Sequence, residues 1–280
     1  MWVVKASGET EKFDKGKIKK TCLRAGASQK LATKISKQVE SKAYDGISTK
    51  DILDITLKLL RKEMLPLAAR YDLKGAMFRL GPAGFAFENL VAEILKEYGY
   101  ETIVHSMIRG ACIYHEIDIT ATKMKTEKQP KVYMIECKYH NLPGVYTKVK
   151  DILYTYARFL DLVEGYKKNL CQKFNKPWLI CNTKFSEDTI QYANCKNILL
   201  TGWRYPPGSG LEKFIEKKKL YPITMLRKLD KYSQEKLATA GLVLAIDLIR
   251  KNIKELNKIT SIPINKLKSL SKEAEMICYD

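Results

Sequence analysis

The sequence lacks the features that mark several common protein classes. No CxxC pair occurs among its seven cysteines, and their odd number argues against a disulfide framework or a zinc site. No apolar run approaches the ~18 residues of a membrane span, and Lys5, Glu9 and Glu11 interrupt any signal-peptide pattern. We therefore expect a soluble, cytoplasmic protein with reduced cysteines and no membrane partner.

The charged residues are predominantly of one sign. The chain has 50 Lys and Arg residues against 31 Asp and Glu residues, which gives a formal net charge of +19. Its apolar content of 45% is sufficient for packed cores and is not that of a disordered chain. A field of this strength attracts polyanions, so nucleic acid is the favoured partner, and a basic surface without a partner is the alternative.

Two predicted strands carry the residues of chemical interest. The segment 132–140 is rich in β-branched and aromatic residues, and on a strand Glu136 and Lys138 share one face. The other strand carries Asp118, and a hairpin folded about Glu127 places Asp118 opposite Glu136, because both are equally far from the turn. Two close carboxylates repel each other, and a divalent cation relieves that repulsion.

Asp118 followed by Glu136-Cys137-Lys138 resembles the D…(D/E)xK signature of the PD-(D/E)XK, or restriction-endonuclease-like, nucleases, with the Mrr-like branch as the closest subtype. Ile117 stands where the signature usually has proline, as in many members. The resemblance implies Mg²⁺ (or Mn²⁺) held by Asp118, Glu136 and the carbonyl of Cys137. It also implies that Lys138 orients the attacking water or stabilises the charge of the transition state.

The predicted elements around these strands agree with that fold. A helix over 85–98 precedes three strands, and a helix over 145–164 is followed by a strand–helix–strand unit with parallel pairing. In the resembled nucleases a glutamate of the first helix often joins the metal site, which makes Glu88 a fourth candidate; an ordinary surface carboxylate is the alternative. His140 shares the face of Glu136, and a hydrogen-bonded structural role is favoured for it over a role in metal binding or proton transfer. Candidates for contact with backbone phosphate, each with a solvated position as the alternative, are Tyr146, Lys148, Lys150, Tyr154, Arg158, Lys167 and Lys168.

The first 80 residues predict a short hairpin followed by four helices, over about 15–25, 28–44, 50–63 and 65–80. This order, together with the blocks Val3-Val4-Lys5, Lys17-Ile18 and Asp45-Gly-Ile-Ser-Thr-Lys-Asp-Ile52, resembles the ATP cone. That family is best known as the regulatory nucleotide sensor of ribonucleotide reductases.

Lys5 on the hairpin and Lys17 on the first helical turn can converge on one anion near a helix N-terminus. The resemblance implies ATP or dATP as a regulatory ligand, bound by Val4, Lys5, Glu11, Asp14, Lys17, Ile18 and Thr49. The two lysines would hold phosphates, and Glu11, Asp14, Ile18 and Thr49 would surround the base and sugar. Ala6 replaces an arginine that is usual in the family and removes one phosphate contact. A helical bundle with solvated lysines is the alternative.

The sequence predicts a multidomain α/β protein with three consecutive domains. These are an ATP cone over 1–80, a restriction-endonuclease-like core with a mixed sheet over 81–206, and a helical accessory domain over 207–280. The last includes a predicted helix over 241–251 and a turn between helices near Pro263 that lacks a glycine-rich hairpin. A DNA-binding module and a packing or oligomerisation module are both open for it.

We expect a nucleotide-regulated, Mg²⁺-dependent endonuclease that cleaves DNA, favouring the double-stranded form, in restriction or repair. One alternative is a non-catalytic DNA-binding protein that responds to ATP or dATP and keeps a nuclease fold. Another is an RNA nuclease, because the fold alone does not exclude RNA. Homo-oligomerisation is left open.

Overall fold

The computed structural model describes residues 1–81, 84–123 and 130–279. Its strands are β1 (Trp2–Val4), β2 (Thr10–Lys12), β3 (Ile47–Ser48), β4 (Tyr100–Arg109), β5 (Tyr114–Lys123), β6 (Lys131–Lys138), β7 (Tyr146–Thr147), β8 (Lys176–Cys181), β9 (Lys184–Phe185) and β10 (Leu199–Thr201). Its helices are α1 (Lys15–Arg24), α2 (Gln29–Glu40), α3 (Thr49–Glu63), α4 (Leu65–Tyr71), α5 (Leu73–Phe78), α6 (Phe85–Glu97), α7 (Val149–Lys167), α8 (Glu187–Lys196), α9 (Leu211–Lys218), α10 (Lys231–Thr239), α11 (Asp247–Arg250), α12 (Ile253–Thr260) and α13 (Ile264–Tyr279). The predicted α/β class is confirmed. Within the described residues, no helix combines the length and the apolar character needed to cross a membrane.

The chain forms two compact units, and the C-terminal helices belong to the first of them. Met1–Arg79 and Ile223–Asp280 make one unit, and Leu80–Pro222 makes the other. The sequence predicted a separate domain from residue 207. The structure groups 223 onward with the N-terminal helices, where the Thr224 hydroxyl donates a hydrogen bond of 2.7 Å to the Ala76 carbonyl.

Local signals explain the first helices of the first unit. The side chains of Asp14, Ser28 and Ser48 accept hydrogen bonds from amides in the first turns of α1, α2 and α3, which satisfies donors that otherwise have no partner. The strands form a three-stranded sheet in the order β2-β1-β3. Apolar faces of α1 to α4 then pack together around buried residues such as Ile35 and Leu60.

Two predicted helices of this unit differ from the structure. The helix predicted over 65–80 is divided into α4 and α5, because Asp72 has a ψ of 21° and its backbone leaves the helical range. The segment 241–251 is helical only from Asp247. Its first part is a buried, non-helical apolar run, and the Val243 carbonyl accepts a hydrogen bond of 3.0 Å from the Ile223 amide. A short apolar run is compatible with a helix and with a buried non-helical segment, so the sequence pattern does not distinguish the two. Contacts with the rest of the unit determine which conformation forms.

The second unit is built on a five-stranded mixed sheet in the order β10-β8-β6-β5-β4. The pairs β4–β5 and β5–β6 are antiparallel, and the pairs β6–β8 and β8–β10 are parallel. The helices α7 and α8 make the connections that the parallel pairs require. Their apolar sides pack on β8 and β10 around Ile152 and Leu179. Asp118 lies midway along β5, and Glu136 and Lys138 lie near the end of β6.

Candidate active site

The register between β5 and β6 brings two of the predicted catalytic residues together. Ile119 pairs with Ile135, and Thr120 pairs with Met134. One further step in the same register places Asp118 opposite Glu136. The turn about Glu127 lies outside the described residues, but the register on either side of it is the one that the sequence predicted.

Asp118 is bound to the neighbouring strand through its side chain. Its Oδ2 atom accepts a hydrogen bond of 2.7 Å from the backbone amide of Cys137. Burial raises the pKa of Asp118, while the Cys137 amide and Arg158 act in the opposite direction. Because the amide and carbonyl of a strand residue point to the same edge, we expect the Cys137 carbonyl to point to the edge of β6 that faces β5. The Cys137 thiol is buried and its pKa is raised by that burial, so only the carbonyl is suited to be a ligand.

Glu136 is a buried carboxylate with a cation against it. Burial, followed by repulsion from Asp118, raises the pKa of Glu136 to about 7, although Arg158 lowers it. The Arg158 guanidinium donates to Glu136 Oε2 and to the Glu116 carbonyl, and its side chain is only 8% exposed. Arg158 was a candidate for contact with DNA phosphate. The structure instead places it inside, as the counter-ion of Glu136.

Lys138 is held by a partner that the sequence did not identify. Its Nζ atom lies 3.1 Å from Asp151 Oδ1, and 45% of its side chain is exposed. Asp151 lies in the first turn of α7 and also accepts a hydrogen bond of 3.1 Å from the Lys148 amide. The lysine therefore lies at the solvent-exposed side of the site, on the same face of β6 as Glu136. The Asp151 carboxylate, in the first turn of α7, orients its ammonium group.

The fourth candidate, Glu88, lies beside His105. Burial, with repulsion from Asp118 and Glu116, raises the pKa of Glu88 to about 7. The Nδ1 atom of His105 is 3.5 Å from Glu88 Oε2 and 3.8 Å from Glu116 Oε1. Glu88 therefore belongs to an acidic cluster with Asp118 and Glu116. It is not the ordinary surface carboxylate that the sequence left open as the alternative.

His105 is a site residue that the sequence reasoning missed. It lies between the pairs Val104–Ile119 and Ser106–Ile117, and therefore opposite Asp118. Its φ of +53° is unusual for a side-chain-bearing residue inside a strand. Its ring stacks on Phe85 with a centroid distance of 4.8 Å, and its buried Nε2 has no hydrogen-bond partner among the described residues. A single histidine in an apolar strand gave no signal of this, because its neighbours come from distant segments.

The other histidines are engaged elsewhere. The Nε2 atom of His140 lies 2.9 Å from the Thr147 hydroxyl, and its backbone exchanges hydrogen bonds with the Asn182 side chain. The Nε2 atom of His115 lies 2.8 Å from Asp161 Oδ2. Both contacts are consistent with structural roles.

The donor set at the site suits a hard divalent cation. Among the described residues, no group of three or more His, Cys, Asp or Glu side chains is arranged as a metal site. The predicted set differs from such a group, because it combines the Asp118 and Glu136 carboxylates with the Cys137 carbonyl. All three donors are oxygen, the ligand type that Mg²⁺ prefers. Burial raises the pKa of both carboxylates, and repulsion from Asp118 raises the pKa of Glu136 further. A cation between them would reduce that repulsion.

A second candidate site lies in the first unit. A cavity of about 170 Å³ is lined by Val3, Glu11, Lys12, Phe13, Asp14, Lys17, Ile18, Thr21, Thr49, Ile52 and Tyr71. It therefore brings together most of the residues predicted to bind nucleotide. Val4 and Lys5 are not in its lining. Val3 takes the inward position, because residues alternate along β1, and Val4 points away.

Lys5 is connected to this cavity through Glu11. Glu11 Oε2 lies 2.9 Å from Lys17 Nζ and 3.4 Å from Lys5 Nζ. The hydrogen bond from Lys17 lowers the pKa of Glu11, and the bond to Glu11 raises the pKa of Lys5. One carboxylate thus holds the two lysines close to each other, and an anion entering the cavity would compete with it.

Comparison with known proteins gives matches along the chain. Residues 1–73 match the ATP cone domain, residues 82–202 match a restriction endonuclease domain of the Mrr type, and residues 221–278 match the C-terminal domain described as AF1548-like. The boundary at 221 lies close to the start of the C-terminal part of the first unit.

Related proteins come from an archaeon. An uncharacterized protein of Archaeoglobus fulgidus is 44% identical over 169 residues, which is 60% of this chain and 89% of the relative. A second uncharacterized protein from that organism is 47% identical over 38 residues, 14% of this chain and 81% of its own. A crystal structure titled as the protein of unknown function AF1548 is 40% identical, with a TM-score of 0.60, and the match covers 70% of this chain and 98% of that one.

Proposed function

The chain belongs to the AF1548-like family, and on this premise we propose that it is a nucleotide-regulated, metal-dependent endonuclease that hydrolyses DNA. It carries an ATP cone followed by an Mrr-type restriction-endonuclease domain. The observation that carries the proposal is the meeting of Asp118 and Glu136 across β5 and β6, with Lys138 on the same strand. Burying two carboxylates beside each other is costly unless they act on a common ligand.

In this proposal Asp118, Glu136 and the carbonyl of Cys137 hold Mg²⁺ or Mn²⁺, and Glu88 is a fourth oxygen donor. The cation, when bound, polarises the phosphoryl oxygen and lowers the pKa of the attacking water. Arg158 holds Glu136 in position from α7. The amide of Cys137 fixes the orientation of Asp118. These two contacts hold the carboxylates before any substrate arrives, which is how a site keeps its geometry during a reaction.

Lys138 acts on the substrate side. It is half exposed, and its ammonium group is positioned by Asp151 rather than by the Asp118–Glu136 pair. From this position it can orient a water molecule or stabilise charge that develops on the phosphate. The net charge of +19 supports a polyanionic substrate, because a basic field raises the local concentration of nucleic acid.

The nucleotide input belongs to the cavity at Glu11, Lys17 and Thr49. We assign ATP or dATP to it as a regulatory ligand. Its lysines face phosphate, and the apolar residues around Ile18 face the base. Exchange of the Glu11 ion pairs for nucleotide phosphate would change the connection between β1, β2 and α1. Through such a structural change the ATP cone would signal whether nucleotide is bound.

Cleavage of supercoiled plasmid tests the proposal directly. Wild-type protein is expected to nick or linearise plasmid in Mg²⁺, to be inactive in EDTA, and to change its rate when ATP or dATP is added. Asp118→Asn is expected to lose activity, and Glu101→Gln, an exposed change in the same sheet, to keep it. Absence of cleavage with every divalent metal would contradict the assignment.

A non-catalytic DNA-binding protein is the second candidate, and one observation favours it. Glu136 and Lys138 are both engaged with side chains of α7, Arg158 and Asp151 respectively. If these ion pairs persist on DNA, the carboxylate and the ammonium group are not available for hydrolysis. Salt-sensitive DNA binding without cleavage would support this candidate, and cleavage restricted to RNA would identify an RNA nuclease.

A further inference from the structure

A second cavity in the first unit is separate from the candidate nucleotide site. Its volume is about 340 Å³, which is within the range of small-ligand sites. It is lined by Arg61, Ala68, Ala69, Asp72, Arg79, Thr224, Met225, Leu226, Arg227, Leu229 and Gln234. The N-terminal helices and the C-terminal segment both contribute, so the cavity exists only when the two parts of this unit are assembled.

Positive charge dominates the polar lining. The lining includes three arginines, Arg61, Arg79 and Arg227, and a single acidic residue, Asp72. That carboxylate is paired with Arg79, whose Nη1 lies 2.8 Å from Asp72 Oδ2. Arg61 and Arg227 have no carboxylate in ion-pair distance among the described residues. The cavity therefore has an excess of two guanidinium groups, whose planar donors suit phosphate oxygens.

The walls are fixed by hydrogen bonds that join the two parts of the unit. The Gln234 side chain donates to the Arg79 carbonyl at 3.1 Å. Glu273 on α13 accepts from the amides of Arg227 and Lys228 at 2.7 and 3.1 Å. These contacts hold the backbone that carries Arg227 opposite the helices that carry Arg61 and Arg79.

The position of the Asp72–Arg79 ion pair against the backbone is also constrained. A Cβ atom at Gly75 would lie 2.1 Å from Asp72 Oδ1 and 2.9 Å from Arg79 Nη1. The ion pair thus lies directly on the backbone of α5, where only glycine leaves room for it. Met225 and Leu226 add buried apolar surface to the lining, so the cavity presents both guanidinium groups and a surface for a carbon skeleton.

From this arrangement we infer that the cavity binds a small phosphorylated molecule through Arg61 and Arg227, at a site separate from the nucleotide cavity. Phosphate or pyrophosphate is the recognised group. The concave shape and apolar lining favour a small molecule over a nucleic-acid backbone. Tyr71 lines the nucleotide cavity and Asp72 lines this one, so the end of α4 contacts both.

Binding of inorganic pyrophosphate, measured by calorimetry on the full chain, tests the inference. Lys17→Ala is included in every protein to weaken the nucleotide cavity. We expect saturable binding to this protein and a loss of at least ~10-fold in affinity when Arg61→Ala and Arg227→Ala are added, because each guanidinium supplies charged hydrogen bonds. The matched control, Lys62→Ala with Lys228→Ala, removes the same charge from neighbouring positions outside the lining and should keep the affinity.

Three results would overturn the inference. The first is an absence of saturable pyrophosphate binding, and the second is equal affinity in the arginine pair and the lysine pair. The third is an effect of the arginine pair on duplex DNA binding alone, which would make the cavity a backbone contact. Adenosine monophosphate and inorganic phosphate each carry one phosphate group, so comparing them shows whether a carbon skeleton adds affinity. Weaker binding of the monophosphate than of inorganic phosphate would overturn the role given to Met225 and Leu226. Plasmid cleavage is not a readout here, so the result is independent of the proposed nuclease activity.

Discussion

The Nδ1 atom of His105 lies 3.5 Å from Glu88 Oε2, and the same histidine lies opposite Asp118 across β4 and β5. The residue is held at a φ of +53° and stacked on Phe85. A strained strand residue that touches an acidic cluster is typical of a position that a site requires, because strain persists only where surrounding contacts impose it. We therefore predict that His105 orients Glu88 toward the Asp118–Glu136 pair.

Replacement of His105 tests this positioning role. His105→Asn keeps a residue that tolerates the left-handed region but removes the ring that contacts Glu88. Loss of such an outer contact typically costs about 10–100-fold in metal affinity or activity. We expect the Mg²⁺ concentration for half-maximal cleavage to rise by about that factor, measured by titrating Mg²⁺ in a plasmid assay. Ser106→Ala, the neighbouring position in β4, should leave the titration unchanged. An unaltered Mg²⁺ requirement in His105→Asn would remove His105 from the site.

Arg158 should contribute strongly to stability. Arg158→Met leaves Glu136 buried without its cation, and loss of one partner of a buried pair costs about 3–5 kcal/mol. We expect the free energy of unfolding in urea to fall by that amount, and to recover in part when Glu136→Gln is added. Lys150→Met, on the exposed side of the same helix, is the control. If the double variant is no more stable than Arg158→Met, the two side chains do not interact as described.

Asp118→Asn should separate stability from activity. Asparagine can still accept from the Cys137 amide, and it removes the repulsion with Glu136. We expect the free energy of unfolding without metal to rise by about 1 kcal/mol. Mg²⁺ should raise the melting temperature of the wild-type protein but not of the variant, because only a bound ligand stabilises the folded state. Glu101→Gln, an exposed change on β4 of the same sheet, should keep the Mg²⁺ response. A variant that is less stable than wild type would mean that Asp118 is a structural residue.

Lys17 should be required for nucleotide binding. It lines the cavity and pairs with Glu11 at 2.9 Å. Lys17→Ala removes a charged phosphate contact, which is worth about 1.5–3 kcal/mol, or roughly 10–100-fold in affinity. Titration with ATP and dATP, followed by calorimetry, measures the loss. Lys19→Ala, two residues further along α1 and outside the cavity lining, should bind normally. Equal losses in both variants would indicate a general charge effect.

Asp161 makes stability depend on pH in the acid range. Burial alone would raise its pKa, but hydrogen bonds from His115, Cys112 and Ile113 hold the pKa of Asp161 at about 2, below its ordinary value of 3.8. The stabilisation is therefore complete above the ordinary value and is lost as the pH falls toward 2. Asp161→Asn should lower the free energy of unfolding by about 1.5–3 kcal/mol at pH 7. The difference from wild type should shrink below pH ~4. Glu101→Gln is the control, and a difference that grows in acid would contradict the assignment.

Much of the site geometry followed from local rules. The hairpin register needed only the equal spacing of Asp118 and Glu136 about residue 127, because antiparallel pairing conserves the sum of the two positions. The helix starts at Asp14, Ser28 and Ser48 were equally accessible, since a capping side chain acts on amides within a few residues. Signals of this range do not depend on the rest of the fold.

The side chains that contact those residues could not be predicted from local rules. Arg158 on Glu136, Asp151 on Lys138 and His105 on Glu88 are contacts between a helix and a strand, which no strand register or helix cap specifies. No local pattern distinguishes a lysine or arginine that turns inward from one that faces solvent on the same helix. The grouping of the C-terminal helices with the N-terminal ones could not be predicted either. Contacts such as that between Thr224 and Ala76 produce no periodic pattern in the sequence.

The sequence alone determined the order of the main helices and of the strands in the central sheet, the mixed character of that sheet, the pairing of Asp118 with Glu136 and the resemblance to the ATP cone and the Mrr-type nucleases. Tertiary structure decided which cations meet which carboxylates, how burial raises the pKa values of Glu88 and Glu136, and which residues line each cavity. The physical reason is the kind of neighbour on which each effect depends. Turns, caps and strand register depend on neighbours in sequence, whereas desolvation and charge pairing depend on neighbours in space.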